Sequence, residues 1–337
     1  MKKNKRKLAG IFVLLFTGVL LTGIVSCSRL EKNGHENQER TTQKRKVAMI
    51  TKSTTSAFFK SVYSGANAAS TAYNMELLFE GPDNEEDYQT QNEMIGKAVE
   101  EGYEAIVLSA ADYNANAEAI DEAAEAGVKI IVIDSDVNSD NVLCRLGTDN
   151  YNAGCVAGEA VLASDEEKLN IGIVNFERNT ENGQERERGF RDIVEKDSRV
   201  GLVETINVLS TIEDAKEGTW KLLKKYPQIN AVVTFNEWTS LGVGYAIQEK
   251  ELGEKLHVVA FDSNIVSVGM LESGEVDALI VQNPYAMGYL GVESAYKLLN
   301  GISVKKGKVD TSVMCVTREN MYDDECQKAL FAFETIK

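Results

Sequence analysis

Three short apolar runs end on a side chain built to hold hydroxyl groups: Asp134 follows KIIVI, Asp262 follows LHVVAF and Gln282 follows VDALIV. Asn236 stands in the same way after AVVTF, and QERERGF supplies a guanidinium at Arg186. Carboxylates accept pairs of hydrogen bonds, amides donate and accept, and a guanidinium donates in a planar fork, so the set suits a neutral polyhydroxy ligand. Asp134 and Asp262 also have the composition of a glycoside-cleaving acid and base. Nothing in the sequence marks one of them as protonated, and a binding role explains both. Taken singly, the aspartates and Asn236 are ordinary helix-cap or turn residues.

The stretch VAMITKSTTSAFFKSVYSGA adds a second kind of surface. VAMIT reads as a buried strand, residues 52–56 as the polar loop at its C-terminal end, and Phe58 with Phe59 as the opening of a helix. Adjacent side chains on a helix diverge by about 100°. One phenylalanine is therefore expected in the core and its neighbour on a cleft, where an aromatic face can cover C–H groups of a ligand. Lys52 in the loop and Trp238 in NEWTS are further candidates, one as a donor and the other as a stacking surface.

Several chemistries have no material. The chain has two histidines, His35 and His257, too few for a Ser-His-Asp, Cys-His or His-rich metal site. No glycine-rich phosphate or dinucleotide fingerprint follows a strand. No catalytic activity and no cofactor are expected.

The elements that must carry these residues alternate. Short β-rich runs begin at Met75, Glu104, Lys129, Leu169, Ala231, Leu256 and Val276, with amphipathic helical stretches such as residues 92–101 and 116–126 between them. This is the pattern of parallel α/β sheets covered on both faces. There are too many strands for one comfortable sheet, so the expected architecture is two doubly wound lobes. The first comprises residues 47–148 and 283–311, the second 149–282 and 312–337. Three crossing segments, near Gly147, Asn283 and Thr311, form the hinge. Only three prolines occur and no Gly/Ser-rich linker separates the halves, which favours short crossings over a tether.

The N-terminus is of another kind. Five cationic residues precede the 18-residue apolar run LAGIFVLLFTGVLLTGIV, which leads to Ser26-Cys27. This is the order of an export signal, and residues 28–46 read as a flexible polar tether. An uncleaved membrane helix is the other reading of the apolar run. The formal charge is −16, and removal of the five cations leaves 31 basic against 52 acidic residues. Such a surface repels nucleic acid and anionic headgroups, and solubility is its plainest use. Cys144, Cys155, Cys315 and Cys326 lack metal-type spacing. Outside the cell they permit disulfides, although buried free thiols are the preferred reading.

In order and spacing, EEGYEAIVLSAAD, AGVKIIVIDSDVNSD, LGTDNYNAG, ERERGF, NEWTSLGVGYAI, VVAFD and VQNPYAMGYLG resemble the type I periplasmic sugar-binding proteins of ABC importers, on the ribose-binding side. IVSC similarly resembles the lipobox of bacterial lipoproteins, which implies lipidation at Cys27 and anchoring on the outer face of the membrane. The family resemblance implies a monomeric protein that captures a monosaccharide-like ligand between its lobes and delivers it to a permease and ATPase. It places stacking aromatics on Phe58 and Phe59, hydroxyl-binding carboxylates on Asp134 and Asp262, the guanidinium on Arg186 and amides on Asn236 and Gln282. The chain departs from the ribose pattern at Ser56 and Ser135, which stand in place of an asparagine and an arginine, and at Ser210, where an aromatic is missing. Both serines are carried as candidates for the ligand site. DSD together with Lys52 also resembles the autoinducer-2 receptor branch, and presentation of a bound sugar to a membrane sensor kinase is the alternative to import.

Overall fold

A computed structural model describes residues 44–305 and 307–332. The export signal, Cys27 and most of the expected tether lie outside the described residues. The chain runs through β1 (Arg45–Ile50), α1 (Ala57–Ala72), β2 (Met75–Glu80), α2 (Tyr88–Glu100), β3 (Ala105–Leu108), α3 (Ala117–Glu125), β4 (Lys129–Ile133) and β5 (Val142–Thr148). It continues with α4 (Asn150–Leu162), β6 (Leu169–Asn175), α5 (Glu181–Val194), β7 (Val200–Asn207), α6 (Ile212–Lys225), β8 (Ala231–Thr234) and α7 (Glu237–Glu249). The last part holds β9 (His257–Phe261), α8 (Ile265–Ser273), β10 (Ala278–Val281), α9 (Pro284–Leu299), β11 (Lys308–Thr311), β12 (Met314–Thr317) and α10 (Asp324–Leu330).

These strands form two six-stranded sheets, ordered β11-β5-β4-β3-β1-β2 and β12-β10-β9-β8-β6-β7. Strands β3, β8 and β10 are buried along their whole length, which is why their sequences are continuous apolar runs rather than alternating ones. The first sheet is parallel throughout, whereas β12 pairs antiparallel to β10 at the edge of the second. Every other pairing in the two sheets is parallel, as the sequence pattern implies. The chain passes from β11, at the edge of the first sheet, through two residues into β12, at the edge of the second.

The chain changes lobe three times, between β5 and α4, between β10 and α9, and between β11 and β12. The first strand also begins earlier than the sequence suggests. Arg45 and Lys46, assigned to the tether, pair with Met75 and Glu76 of β2, and Glu104 holds the Arg45 guanidinium at 2.7 Å. A residue with such partners at the end of a strand is ordered by them, whatever its polarity.

Strand-to-helix turns are closed by caps: Ser56 accepts from the Phe59 N–H, Asp149 from Asn152, Asn236 from Thr239 and Asn283 from Ala286. Each lobe also contains one very tight helix pair, α1 on α9 and α4 on α5. Gly288 and Gly154 sit at the two crossings, where a Cβ would overlap the carbonyl oxygens of Val62 and Arg186. All four described cysteines are free thiols. Cys144 and Cys326 are buried as expected, while Cys155 and Cys315 are only half-buried.

Candidate functional site

The strand ends of both lobes converge on one narrow cavity. The first lobe contributes Lys52, Ser56, Phe58, Phe59, Glu85 and Asp134, and the second contributes Asn182, Arg186, Asn236, Glu237 and Asp262, with Gln282 at a crossing. Seven sequence candidates, Phe58, Phe59, Asp134, Arg186, Asn236, Asp262 and Gln282, therefore share one lining.

Asp134 and Asp262 occupy equivalent places, directly after β4 and β9, and both adopt a left-handed backbone, with φ of 56° and 67°. Aspartate tolerates this region better than most residues, yet it carries strain that the surrounding fold must hold. The turn aims each carboxylate into the cavity. Asp134 accepts from the Ser109 hydroxyl at 2.8 Å and, across the lobes, from the Asn182 amide at 3.2 Å. Asp262 accepts from Gln282 Nε2 at 2.7 Å, and burial raises its pKa to about 6 against the opposing pull of Arg186.

Arg186 is only 1% exposed. Its fork is distributed over three neutral acceptors: Asn150 Oδ1 at 3.0 Å, the Phe235 carbonyl at 2.6 Å and Gln282 Oε1 at 2.7 Å. Its plane lies 5.0 Å from the centre of the Phe261 ring. Desolvation lowers its pKa, with the nearby carboxylates opposing that shift. Gln282 links this group to both lobes, because its Oε1 also accepts from Thr148 at 2.8 Å while its Nε2 reaches Asp262. Asn236 is a ligand candidate and a cap at once: its carbonyl closes α7 and its amide donates to Ser210 Oγ.

The division of labour expected for the two phenylalanines is not what the structure has. Both line the cavity and both belong to the core of the first lobe, with rings 5.1 Å apart and perpendicular. The edge-to-face pairing lets two diverging side chains share one wall. Lys52 and Ser56 are also in the lining. The Lys52 ammonium is almost fully buried, 3.6 Å from Asp134 and 3.8 Å from Glu85.

Two candidates lie elsewhere. Ser135 is buried, its side chain is not part of the lining, and its hydroxyl has no hydrogen-bond partner among the described residues. The left-handed turn that points Asp134 into the cavity leaves the next side chain behind the wall. Trp238 does not stack on the cavity; its indole N–H donates to Glu85 at 3.1 Å.

Glu85, Asn182 and Glu237 were absent from the sequence candidates. Asn182 precedes Arg186 by four residues on α5, so helical spacing alone would have put it beside that guanidinium. Glu237 directly follows Asn236, but its role depends on the other lobe: its carboxylate accepts from the Ala57 and Phe58 N–H groups at 3.0 and 2.9 Å, at the N-terminus of α1. Burial raises its pKa to about 7, opposed by those two hydrogen bonds. Glu85 lies in the acidic loop DNEED, where nothing separates it from its neighbours. Burial raises it to about 7 as well, with Lys52 opposing and Asp134 reinforcing.

Residues 47–303 match the periplasmic binding protein domain family. The D-ribose/D-allose-binding protein of Pseudomonas aeruginosa is 25% identical over 288 residues, covering 82% of this chain and 90% of that protein. A carbohydrate transporter solute binding protein from Agrobacterium radiobacter, solved with D-arabinose, has a TM-score of 0.83 at 29% identity, covering 86% of this chain and 100% of the other. A sugar transporter from Clostridium phytofermentans has a TM-score of 0.73 at 33% identity, covering 81% and 99% of the two chains.

Proposed function

The chain belongs to the periplasmic binding protein family, and on that premise we propose that it captures a monosaccharide-like sugar between its lobes and delivers it, outside the cytoplasm, to an ABC importer. It is a binding protein rather than an enzyme. One observation carries the ligand class: carboxylates, amides and a guanidinium from both lobes surround a cavity with one aromatic wall. A sugar ring offers the matching surfaces, an apolar C–H face and a rim of hydroxyls. The relatives named above bind ribose, allose and arabinose, which supports the same class.

The lobes would open about their three crossings to admit the ligand and close to bury it. Anchoring through a lipid on Cys27 is part of this reading. It would keep the binding domain near its membrane partner at the end of the segment between Cys27 and β1.

A melting-temperature screen tests the ligand class, since a tight ligand stabilises the fold by mass action. The panel is D-ribose, D-allose, D-arabinose, D-galactose and autoinducer-2, the last because Lys52 lines the cavity. At least one sugar is expected to raise the melting temperature of the wild type. Asp134→Ala and Asp262→Ala should each weaken its binding by on the order of 2–4 kcal/mol, as a charge-assisted hydrogen bond is lost in a desolvated site. Equal binding by both variants would place the sugar elsewhere.

A further inference from the structure

Six ionisable side chains line the cavity, four carboxylates against two cations. Three of the carboxylates have compensation of their own. Asp134 lies 3.6 Å from Lys52, Glu237 sits on the N-terminus of α1, and Asp262 faces Arg186 through Gln282, which donates to one and accepts from the other. Glu85 is left with the more distant share of Lys52, at 3.8 Å, and two neutral donors from the opposite lobe, Trp238 Nε1 at 3.1 Å and Ser210 Oγ at 3.2 Å. These donors fix the carboxylate in place without cancelling its charge.

We propose that Glu85 sets the charge selectivity of the cavity, so that it admits neutral and amino-bearing sugars and rejects sugar acids and sugar phosphates. This rests on the sugar-binding reading above. Four carboxylates against two cations leave a formal excess of two negative charges, of which Glu85 carries one and Glu237, seated on the N-terminus of α1, the other. A buried charge lining the cavity acts through a low dielectric, where it changes an equilibrium by tenfold or more. An anionic sugar would meet a charge that Lys52 only partly offsets, whereas an ammonium group on the ring would complete the pairing that Lys52 divides between Glu85 and Asp134.

The test uses calorimetry at about pH 7.5, above the value of about 7 to which burial raises Glu85 and low enough that much of an amino sugar is still the ammonium, so that both charges are present. The probes are D-galactose, D-galactosamine and D-galacturonate, or the same neutral, 2-amino-2-deoxy and uronate forms of whichever neutral sugar binds best. The wild type should bind the neutral sugar about a hundredfold more tightly than its uronate, and the amino sugar at least as well as the neutral one. Glu85→Gln keeps the shape and the acceptors for Trp238 and Ser210 and removes only the charge; it should narrow the neutral-to-uronate ratio by about tenfold. Glu217→Gln, an exposed acid paired with Lys221, removes the same charge far from the cavity and should leave the ratio unchanged. An unchanged ratio in a folded Glu85→Gln protein, or an equal change in Glu217→Gln, overturns the assignment while leaving sugar binding intact. If no sugar binds the wild type, the sugar reading fails and this inference falls with it.

Discussion

The two lobes build the same frame and put opposite chemistry on it. In each, the helix after the first strand packs tightly against a helix that has just crossed over from the other lobe, α1 against α9 and α5 against α4. In each, an aspartate in a left-handed turn ends an inner strand, Asp134 after β4 and Asp262 after β9. On the cavity side of the first helix, however, α1 carries Phe58 and Phe59 where α5 carries Arg186. At these two helices one lobe thus offers an apolar wall and the other a hydrogen-bonding one. The backbone geometry fixes where a side chain reaches the cavity, and the choice of side chain alone decides what it does there.

The largest test of this contrast removes the two helix residues in turn. Phe59 is 2% exposed within the core of its lobe, and Phe59→Ala should lower folding stability by about 3–5 kcal/mol. Arg186→Ala strands the Asn150, Phe235 and Gln282 acceptors in a buried site and should cost on the order of 3 kcal/mol. Urea unfolding of both variants is the measurement. A loss below about 1 kcal/mol for Arg186→Ala would mean that its acceptors find water instead, and that the polar wall is not a structural counterpart of the aromatic one.

How legible this was depended on distance along the chain. Strands such as β8 and β10 announced themselves as unbroken apolar runs, because burial on both faces leaves no polar alternation. By contrast β7 is half-buried along most of its length, and β11 is four residues long with two of them exposed, so neither has a clear pattern. The site residues at strand ends were found because their position follows from the topology. Glu85 and Glu237 were not, since what makes them part of the cavity is a donor on the opposite lobe: Trp238 for one, the N-terminus of α1 for the other. Ser135 shows the converse. Its neighbour Asp134 turns into the cavity, and only the sign of a backbone angle reveals that Ser135 does not.

These two interlobe acids give a second, smaller test, smaller because opening of the cleft lets water reach both. Each is raised from 4.5 to about 7, chiefly by burial. The folded protein therefore keeps a proton that the unfolded chain has lost in that interval, and stability should fall as pH rises from about 4.5 to about 7 and level off above it. Below about 4.5 both states are protonated and these groups contribute no slope. Melting temperatures across that range should show the decline, and Glu85→Gln with Glu237→Gln should flatten it. An unchanged slope in the double variant would mean that the acids stay solvated and do not join the lobes.

The smallest effect is expected at Ser135, and it separates the wall from what lies behind it. Its hydroxyl is buried and accepts or donates no hydrogen bond among the described residues. Ser135→Ala removes the stranded group and leaves a hole no larger than one oxygen atom, which should raise stability by about 1 kcal/mol. Ligand affinity should not change, because the side chain is not in the lining even though Asp134 beside it is. Ser109→Ala is the useful contrast, since that hydroxyl donates to Asp134 at 2.8 Å and its loss should weaken binding while Ser135→Ala does not. A drop in sugar affinity for Ser135→Ala equal to that of Ser109→Ala would put Ser135 on the cavity after all, and with it the left-handed turn at Asp134 would lose its assigned role of dividing the two.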